Sequence, residues 1–214
     1  MVYGERRERM VQTQIMLRGI KETPILDAFR RVPRHLFVPP YLLDEAYHDC
    51  PLPIGQEQTI SQPYIVALMT QHLELKPTDR ILEIGTGCGY QTAILAELVK
   101  EVYSIEIIEE LGEKAKELLT GMNYNNIHFM VGDGFYGWKE MAPFDGMIIT
   151  AAPTITPQPL IAQLKVNSKM VIPVGSLYQS LIQFTKQETG ELKKQWISDV
   201  RFVPMTGKVQ NLEN

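Results

Sequence analysis

The segment Ile81-Leu82-Glu83-Ile84-Gly85-Thr86-Gly87-Cys88-Gly89 constrains the fold more than any other part of the chain, because a short apolar run breaks into three alternating glycines. Residues 81–84 are too few for a helix and follow the polar pair Asp79-Arg80, which predicts a buried parallel strand. Behind the glycines, apolar side chains at 93, 94, 95, 98 and 99 predict a helix over residues 90–99. Strand, glycine loop and helix in that order let the backbone approach a ligand closely and aim free amides at it. Such a ligand carries a nucleoside.

The spacing of the glycines narrows the ligand. A dinucleotide loop reads Gly-x-Gly-x-x-Gly, whereas the third glycine here, Gly89, follows Gly85 and Gly87 one residue early. That disfavours a pyrophosphate at the helix start, and with it a nicotinamide oxidoreductase. It matches a loop across which S-adenosyl-L-methionine lays its amino-acid part. Glu83 fits the same ligand: a charge in a buried strand needs a partner, and the ligand's ammonium group would supply one directly or through water. The bland alternative for Glu83 is a lysine or a loop amide. A second strand, expected at 102–105, leads into Glu106, about twenty residues past the first glycine, where a carboxylate can accept hydrogen bonds from both ribose hydroxyls. Taken alone, Glu106 with Glu109, Glu110 and Glu113 behind it reads as a helix-start acid. A third strand over 127–131 delivers Gly132-Asp133-Gly134, with Asp133 placed to bond the adenine amino group or, without the earlier features, to form an ordinary turn.

Composition sets bounds on the rest. The 214 residues suit one domain with a single core. A formal charge of −4 argues against a general nucleic-acid surface, and Arg6, Arg7 and Arg9 interleave with Glu5 and Glu8 as a solvated helix face would. No apolar run approaches the ~20 residues that cross a bilayer and the N-terminus carries no signal-peptide core, so a cytoplasmic protein with no membrane partner is expected. Cys50 and Cys88 make no disulfide framework. The histidines at 35, 48, 72 and 128 have no ligand at helical spacing, so no metal is expected.

Residues 1–78 precede the glycine loop and are not needed by a minimal nucleotide-binding sheet, so they are expected to serve the substrate as a helical extension of the 79–214 cofactor-binding core. One helix is expected over 4–17, and another opens with Thr23 as cap and Pro24 as first helical residue, ending at Pro33. A proline-rich stretch from Phe37 to Gly55 reads as an ordered wrapping loop. Ser61 reads as the cap of a helix through Leu75, with apolar residues at 65, 68, 69 and 73. Downstream, helices at 108–121 and 158–164 alternate with strands at 127–131, 144–150 and 170–174, residues 165–169 serving as a connector. The pattern is that of an α/β, doubly wound, mostly parallel sheet. Strands at 181–186 and 195–203, joined by Glu188-Thr189-Gly190-Glu191, form an antiparallel edge hairpin. The order of these last two strands is left open.

With these residues in view, the chain resembles the protein-L-isoaspartate (D-aspartate) O-methyltransferase family over nearly its whole length. The resemblance rests on Val32-Pro33-Arg34-His35-Leu36-Phe37-Val38-Pro39, on Ala46-Tyr47 with Pro51-Leu52-Pro53-Ile54-Gly55, and above all on Gln58-Thr59-Ile60-Ser61-Gln62-Pro63. Met170-Val171-Ile172-Pro173-Val174-Gly175 and Phe202-Val203-Pro204 complete it. Two positions depart from the family pattern: Asn167-Ser168 stands where two glycines are common, and Glu83 where some members have Asp. Asn tolerates a left-handed turn, so the first departure preserves the fold.

The resemblance implies a Rossmann-like class I methyltransferase fold and methyl transfer from S-adenosyl-L-methionine to the free carboxylate of L-isoaspartyl and D-aspartyl residues in damaged proteins; a lesion found in many proteins calls for an accessible cleft, so a monomer is expected. The resemblance implies that Ser61 and Thr59 donate hydrogen bonds to that carboxylate, with amides at the adjoining helix start favouring the same anion. It also places Gln58, Ile60, Gly134 and Thr206 at the cofactor. The structural alternatives are a plain N-cap for Ser61 and an exposed tail residue for Thr206. A methyltransferase acting on RNA or a small molecule would use the same loop, although Thr150-Ala151-Ala152-Pro153 stands where amine methyltransferases often place Asn or Asp before Pro-Pro-Tyr. A third reading is a non-catalytic module that binds partner proteins and uses the nucleoside as a regulator.

Overall fold

The computed structural model of the chain describes residues 2–212. Helix α1 (Val2–Met10) runs into a wider turn at Val11–Ile15 and a tight one at Met16–Arg18, ending at Gly19 with φ of 97°. One regular helix was expected here. The wider turn takes more residues per circuit, which keeps Met10, Val11 and Ile15 all fully buried. Helix α2 (Thr23–Arg31) buries Ile25, Leu26, Ala28 and Phe29 and starts one residue before the expected position: Glu22, not Thr23, occupies the cap. No side chain caps it, and it stops before Pro33, whose ring disfavours a helical residue ahead of it.

Part of the expected wrapping loop is instead a hairpin, β1 (Leu52–Gly55) with β2 (Gln58–Ile60). Its two turn residues, Gln56 and Glu57, both take positive φ, 50° and 57°, as a primed two-residue turn requires. Neither is the Asn, Asp or Gly that usually announces such a turn. The register shifts between Pro53 and Gly55, so Ile54 bulges out of the ladder. Helix α3 (Pro63–His72) then begins with Pro at its start, Gln62 in the cap position and no side-chain cap, which places Ser61 outside the helix and corrects its reading as the cap. The helix ends short of Leu75, and Glu74 follows with a positive φ of 52°.

The core follows: β3 (Arg80–Ile84), α4 (Tyr90–Ala96), β4 (Glu101–Glu106), α5 (Glu109–Gly121), β5 (Ile127–Val131), β6 (Phe144–Ile149), α6 (Gln158–Gln163), β7 (Leu164–Gly175), β8 (Gln179–Lys186) and β9 (Leu192–Val200). Helix α4 is shorter than expected, because Leu98 and Val99 turn back onto the Leu95 carbonyl, leaving Val99 buried. Strand β7 is longer: residues 165–169 join it as an irregular stretch between the Phe144–Leu164 and Gly146–Lys169 pairings, with Asn167 at φ of 62°. The sheet order is β5-β4-β3-β6-β7-β8-β9, parallel through β7, with β8 antiparallel to β7 and β9 at the edge. The order of the last two strands is thereby settled. The Gln187 to Glu191 turn, with Gly190 at φ of 86°, closes the β8–β9 hairpin as expected.

From β3 the chain builds outward through β4 and β5 on one side and through β6 and β7 on the other. Their diverging connections open a crevice at the carboxyl ends of the strands, where ligands of such sheets bind. One apolar cluster joins residues 10–73 to α4 and one sheet face. A second fills the opposite face around Phe144, Leu160 and Met170. Among the described residues no helix is long and apolar enough to cross a membrane.

Gly89, the residue before α4, shows how tightly the glycine loop is packed. Its φ is 87°, and a Cβ there would lie 2.8 Å from Leu119 Cδ1 and 3.3 Å from Ala115 Cβ of α5. Gly89→Ala is therefore expected to lower unfolding free energy by about 1–3 kcal/mol, from backbone strain and crowding together. Urea unfolding measures this, and an unchanged midpoint would show that the loop tolerates a side chain.

Candidate active site

The carboxyl ends of β3, β4 and β6 form the floor of a cleft. At Gly85 the backbone turns with φ of 95°, and any side chain there would strike Thr150 Oγ1, which donates to the carbonyls of Ile84 and Gly85 at 3.0 and 2.7 Å. Gly87, φ 55°, comes next; a Cβ on it would touch Ile54 Cδ1, the bulged residue of β1, at 3.5 Å. The hairpin thus lies against the glycine loop. Gln56 of its turn reaches the start of α5, its Nε2 donating to Glu110 Oε2 at 2.5 Å.

Glu106 ends β4 inside this cleft and is 5% exposed. Its Oε2 accepts from the Gly87 amide at 2.8 Å and its Oε1 from the Ile108 amide at 3.0 Å. A carboxylate has about four acceptor positions, so each oxygen retains one for a ligand hydroxyl. The cleft walls are Gln58, Thr59, Ile60 and Ser61 on one side and Gly85, Thr86, Gly87 and Cys88 on another. Ile84, Ile105, Ile107, Ile108 and Gly134 supply an apolar end, and Val203 to Thr206 a cover. The enclosed part of the space is about 100 Å³, and beyond it the cleft opens to solvent. Gly134 is required where it stands, since a Cβ would collide with Ile84 Cγ2.

Nine residues expected at the ligand site line this one cleft: Gln58, Thr59, Ile60, Ser61, Gly85, Gly87, Glu106, Gly134 and Thr206. Three do not. Gly89 packs against α5. Asp133 is held by backbone amides, its Oδ1 accepting from Phe135 at 2.9 Å and its Oδ2 from Lys208 at 2.7 Å, so it ties the C-terminal segment to the end of β5. Glu83 is fully buried beneath the loop, not on its wall.

Among the described residues neither a lysine nor a loop amide holds Glu83. Its Oε2 accepts from Thr92 Oγ1 of α4 and Ser104 Oγ of β4, both at 2.6 Å, and Ser104 Oγ in turn lies 2.6 Å from Thr86 Oγ1. Its Oε1 is buried without a partner among the described residues. Burial outweighs the two hydroxyls and pushes the carboxyl up to about 7.

Thr59, Ser61, Thr150 and Val203 also border a second recess, completed by Pro51, Gln62, Ile65 and residues 199–202. The two hollows meet at the Thr59 and Ser61 segment. Sequence reasoning did not identify this recess or Thr150. The signal for Thr150 was its position at the end of the fourth core strand, where a polar residue meets the ligand crevice. The segment is positioned by the hairpin register and by Gln62, whose Nε2 donates to Asp49 Oδ1 at 2.8 Å. Behind α4, Arg34 is fully buried, its Nε donating to the Ala46 carbonyl at 2.8 Å and its guanidinium 4.9 Å from the Tyr90 ring. His35 Nδ1 pairs with the Tyr47 hydroxyl at 2.8 Å and stacks on Tyr3. Among the described residues no cluster of three or more His, Cys, Asp or Glu could hold a metal.

Comparison with known proteins gives this geometry a context. The family model described as protein-L-isoaspartate(D-aspartate) O-methyltransferase matches residues 5–210. The chain is 53% identical over 208 residues to protein-L-isoaspartate O-methyltransferase 2 of Shewanella sediminis, covering 96% of this chain and 84% of that protein. It is 50% identical over 209 residues to protein-L-isoaspartate O-methyltransferase of Syntrophus aciditrophicus, covering 96% of each. A solved protein-L-isoaspartate O-methyltransferase superposes with a TM-score of 0.88 at 29% identity, over 96% of this chain and 68% of that one. The fold is shared also with a structure titled a putative protein-L-isoaspartate O-methyltransferase of Plasmodium falciparum in complex with S-adenosyl-L-homocysteine, at a TM-score of 0.82 and 24% identity, over 94% and 98% of the two chains.

The raised Glu83 carboxyl makes stability fall as pH rises. The folded chain keeps this proton up to about 7, whereas the unfolded chain loses it near 4.5. The folded state therefore binds more protons in that window, and stability, fullest below about 4.5, falls as pH rises to about 7, by about 3 kcal/mol in total. Glu83→Gln keeps an acceptor for Thr92 and Ser104 and is expected to remove this decline, which unfolding midpoints taken from pH 5 to 8 would show. A parallel decline in both proteins would place the titration elsewhere.

Proposed function

The chain belongs to the protein-L-isoaspartate(D-aspartate) O-methyltransferase family, and from that membership we propose how its cleft divides the work. It is an S-adenosyl-L-methionine-dependent enzyme that methylates the free carboxylate of L-isoaspartyl and D-aspartyl residues in damaged proteins. An RNA or small-molecule substrate is not favoured.

The observation that carries the division is the meeting of two recesses at Thr59 and Ser61. The first recess fits the cofactor by its donor and acceptor set: a loop stripped of side chains at Gly85 and Gly87, acceptor capacity on Glu106, and an apolar end closed by Ile84 and Gly134. When bound, S-adenosyl-L-methionine supplies a methyl group made electrophilic by a positively charged sulfur. Glu106 takes the ribose hydroxyls, and Gln58, Ile60 and Thr206 bound the remainder. Asp133, next to Gly134, retains lone pairs for the adenine amino group, while Glu83 supports the loop from below. The second recess receives the substrate chain; within one domain it joins Pro51 and residues 59–65 of the 1–78 extension to Thr150 and residues 199–203 of the 79–214 core.

A carboxylate is already ionised at neutral pH, so the reaction needs no strong general base. Ser61 and Thr59 are the donors that orient it, and neither acts as a covalent nucleophile. Holding it in line at near-attack distance is worth on the order of 7–11 kcal/mol in the best cases, and partial exclusion of water strengthens the holding contacts. The enzyme is taken to act in the cytoplasm as a monomer, since a lesion found in many different proteins calls for an accessible cleft.

Ser61→Ala is expected to lower turnover of an isoaspartyl peptide about 10- to 100-fold, the loss of one hydrogen bond to a charged group, with cofactor affinity unchanged by calorimetry. Wild-type turnover would remove Ser61 from the site. Glu106→Ala is expected to weaken cofactor binding about 10-fold or more by the same calorimetry, and an unchanged Kd would remove the ribose assignment. Base-labile methyl label on the isoaspartyl peptide, absent from its aspartyl counterpart and from RNA, tests the activity itself.

A further inference from the structure

The turn between β7 and β8 breaks an ordinary rule of composition. It reads Ser176-Leu177-Tyr178, where turns favour Gly, Pro, Asn, Asp and Ser. Leu177 is 93% and Tyr178 94% exposed, so neither side chain contributes to the core, and no charged residue lies between Lys169 and Lys186 to balance them. Single exposed apolar residues are commonplace, but two adjacent large ones at the tip of a hairpin are not explained by folding.

The backbone beneath them is fixed, and fixed to the substrate recess. The Gly175 amide donates to the Pro153 carbonyl at 3.0 Å, joining the turn to the loop that carries Thr150. Gln179 is 8% exposed, and its side chain clamps the turn to the segment after β9. Its Nε2 donates to Ser176 O at 3.3 Å and Phe202 O at 3.1 Å, while its Oε1 accepts from the Phe202 amide at 2.6 Å. Phe202, with Arg201 and Val203, lines the second recess. Ile155, half exposed, follows Pro153 on the same end of the sheet. An apolar tip is thus held rigidly at the rim of the recess that the substrate chain enters.

We propose that Leu177 and Tyr178 form an accessory contact for apolar side chains of the substrate polypeptide that flank the isoaspartyl residue. The occupant follows from continuity: a chain seated at Ser61 must leave the recess, and its rim on the Phe202 side carries this tip. Damaged, partly unfolded proteins expose the apolar residues such a contact would accept. The contact raises affinity for the substrate chain without touching the reacting atoms. It rests on the reading of the second recess given above.

The test uses the full chain and two isoaspartyl peptides, one flanked by Gly and Ser and one carrying Leu and Phe two to five residues away on both sides. The wild type is expected to favour the apolar peptide about 10-fold in kcat/KM, through KM. In Leu177→Ser/Tyr178→Ser that preference should vanish while kcat, and kcat/KM for the Gly and Ser peptide, stay unchanged. An equal preference in both proteins, or none in the wild type, overturns the proposal. So does a sedimentation shift from dimer to monomer in the variant with the peptide preference intact, which would make the tip a contact between copies of the chain. If the wild type methylates neither peptide, the reading of the recess fails first and the accessory contact falls with it.

Discussion

The cleft depends on one crowded point, the junction of Gly85 with Thr150. The Gly85 amide donates to the Ile105 carbonyl at 2.8 Å, the Thr150 amide to Ile84 O at 2.9 Å, and the Thr150 hydroxyl to both Ile84 O and Gly85 O. Three strand ends are therefore knitted together where the chain must leave the sheet, and the hydroxyl fills the space a side chain at Gly85 would need. Without that closure the glycine loop could not turn across the ends of β3 and β4, and Glu106 would not meet the Gly87 amide. The Gly85 amide and carbonyl are both satisfied at this junction, as burial demands. The loop can then present a surface without side chains and without strain borne by the ligand.

What the sequence made legible was local and periodic. The strand over 81–84, the loop behind it, Glu106 at its distance and the later alternation of strands and helices each rest on a few neighbouring residues. What the sequence left illegible has two causes, partners remote in sequence and local signals that other residues can replace. The partners that hold Glu83, Thr92 and Ser104, are hydroxyls that no charge rule identifies. Ser61 looked like a cap because it precedes an apolar run, yet the Pro63 start moved the helix one residue on. The β1–β2 hairpin lacked the turn residues that signal one, and the second recess is assembled from four separate segments.

The residues that carry the family resemblance upstream of Gln58 do not line either recess, apart from Pro51. Arg34 bonds the Ala46 carbonyl, His35 pairs with Tyr47, and Phe37 packs edge-on against Tyr90 at 5.4 Å. Their work is mechanical: they seat the extension against α4 and set where the hairpin can lie. A motif can thus identify a family strongly while touching no reactant, because the scaffold that aims the reacting segment is as constrained as the segment.

Helix α4 shows why the cofactor side of the cleft is the rigid one. It has only seven residues, too few to be stable by itself, and all of them are buried. Its first three residues each grip a different element: Tyr90 lies against the Arg34 guanidinium, Gln91 Nε2 donates to Thr70 Oγ1 of α3 at 3.0 Å, and Thr92 donates to Glu83 of β3. Because these contacts diverge, the helix start cannot shift without breaking one of them, and the glycine loop just ahead inherits that fixity. The opposite wall is a three-residue strand beyond a turn with two left-handed residues, joined to α5 by an exposed Gln56–Glu110 contact. Its strands bury Leu52 and Ile60 in the core, each 3% exposed, so the exposed part of this wall is the turn. That wall hangs on these two apolar anchors, whereas the glycine loop opposite is held from three directions at once.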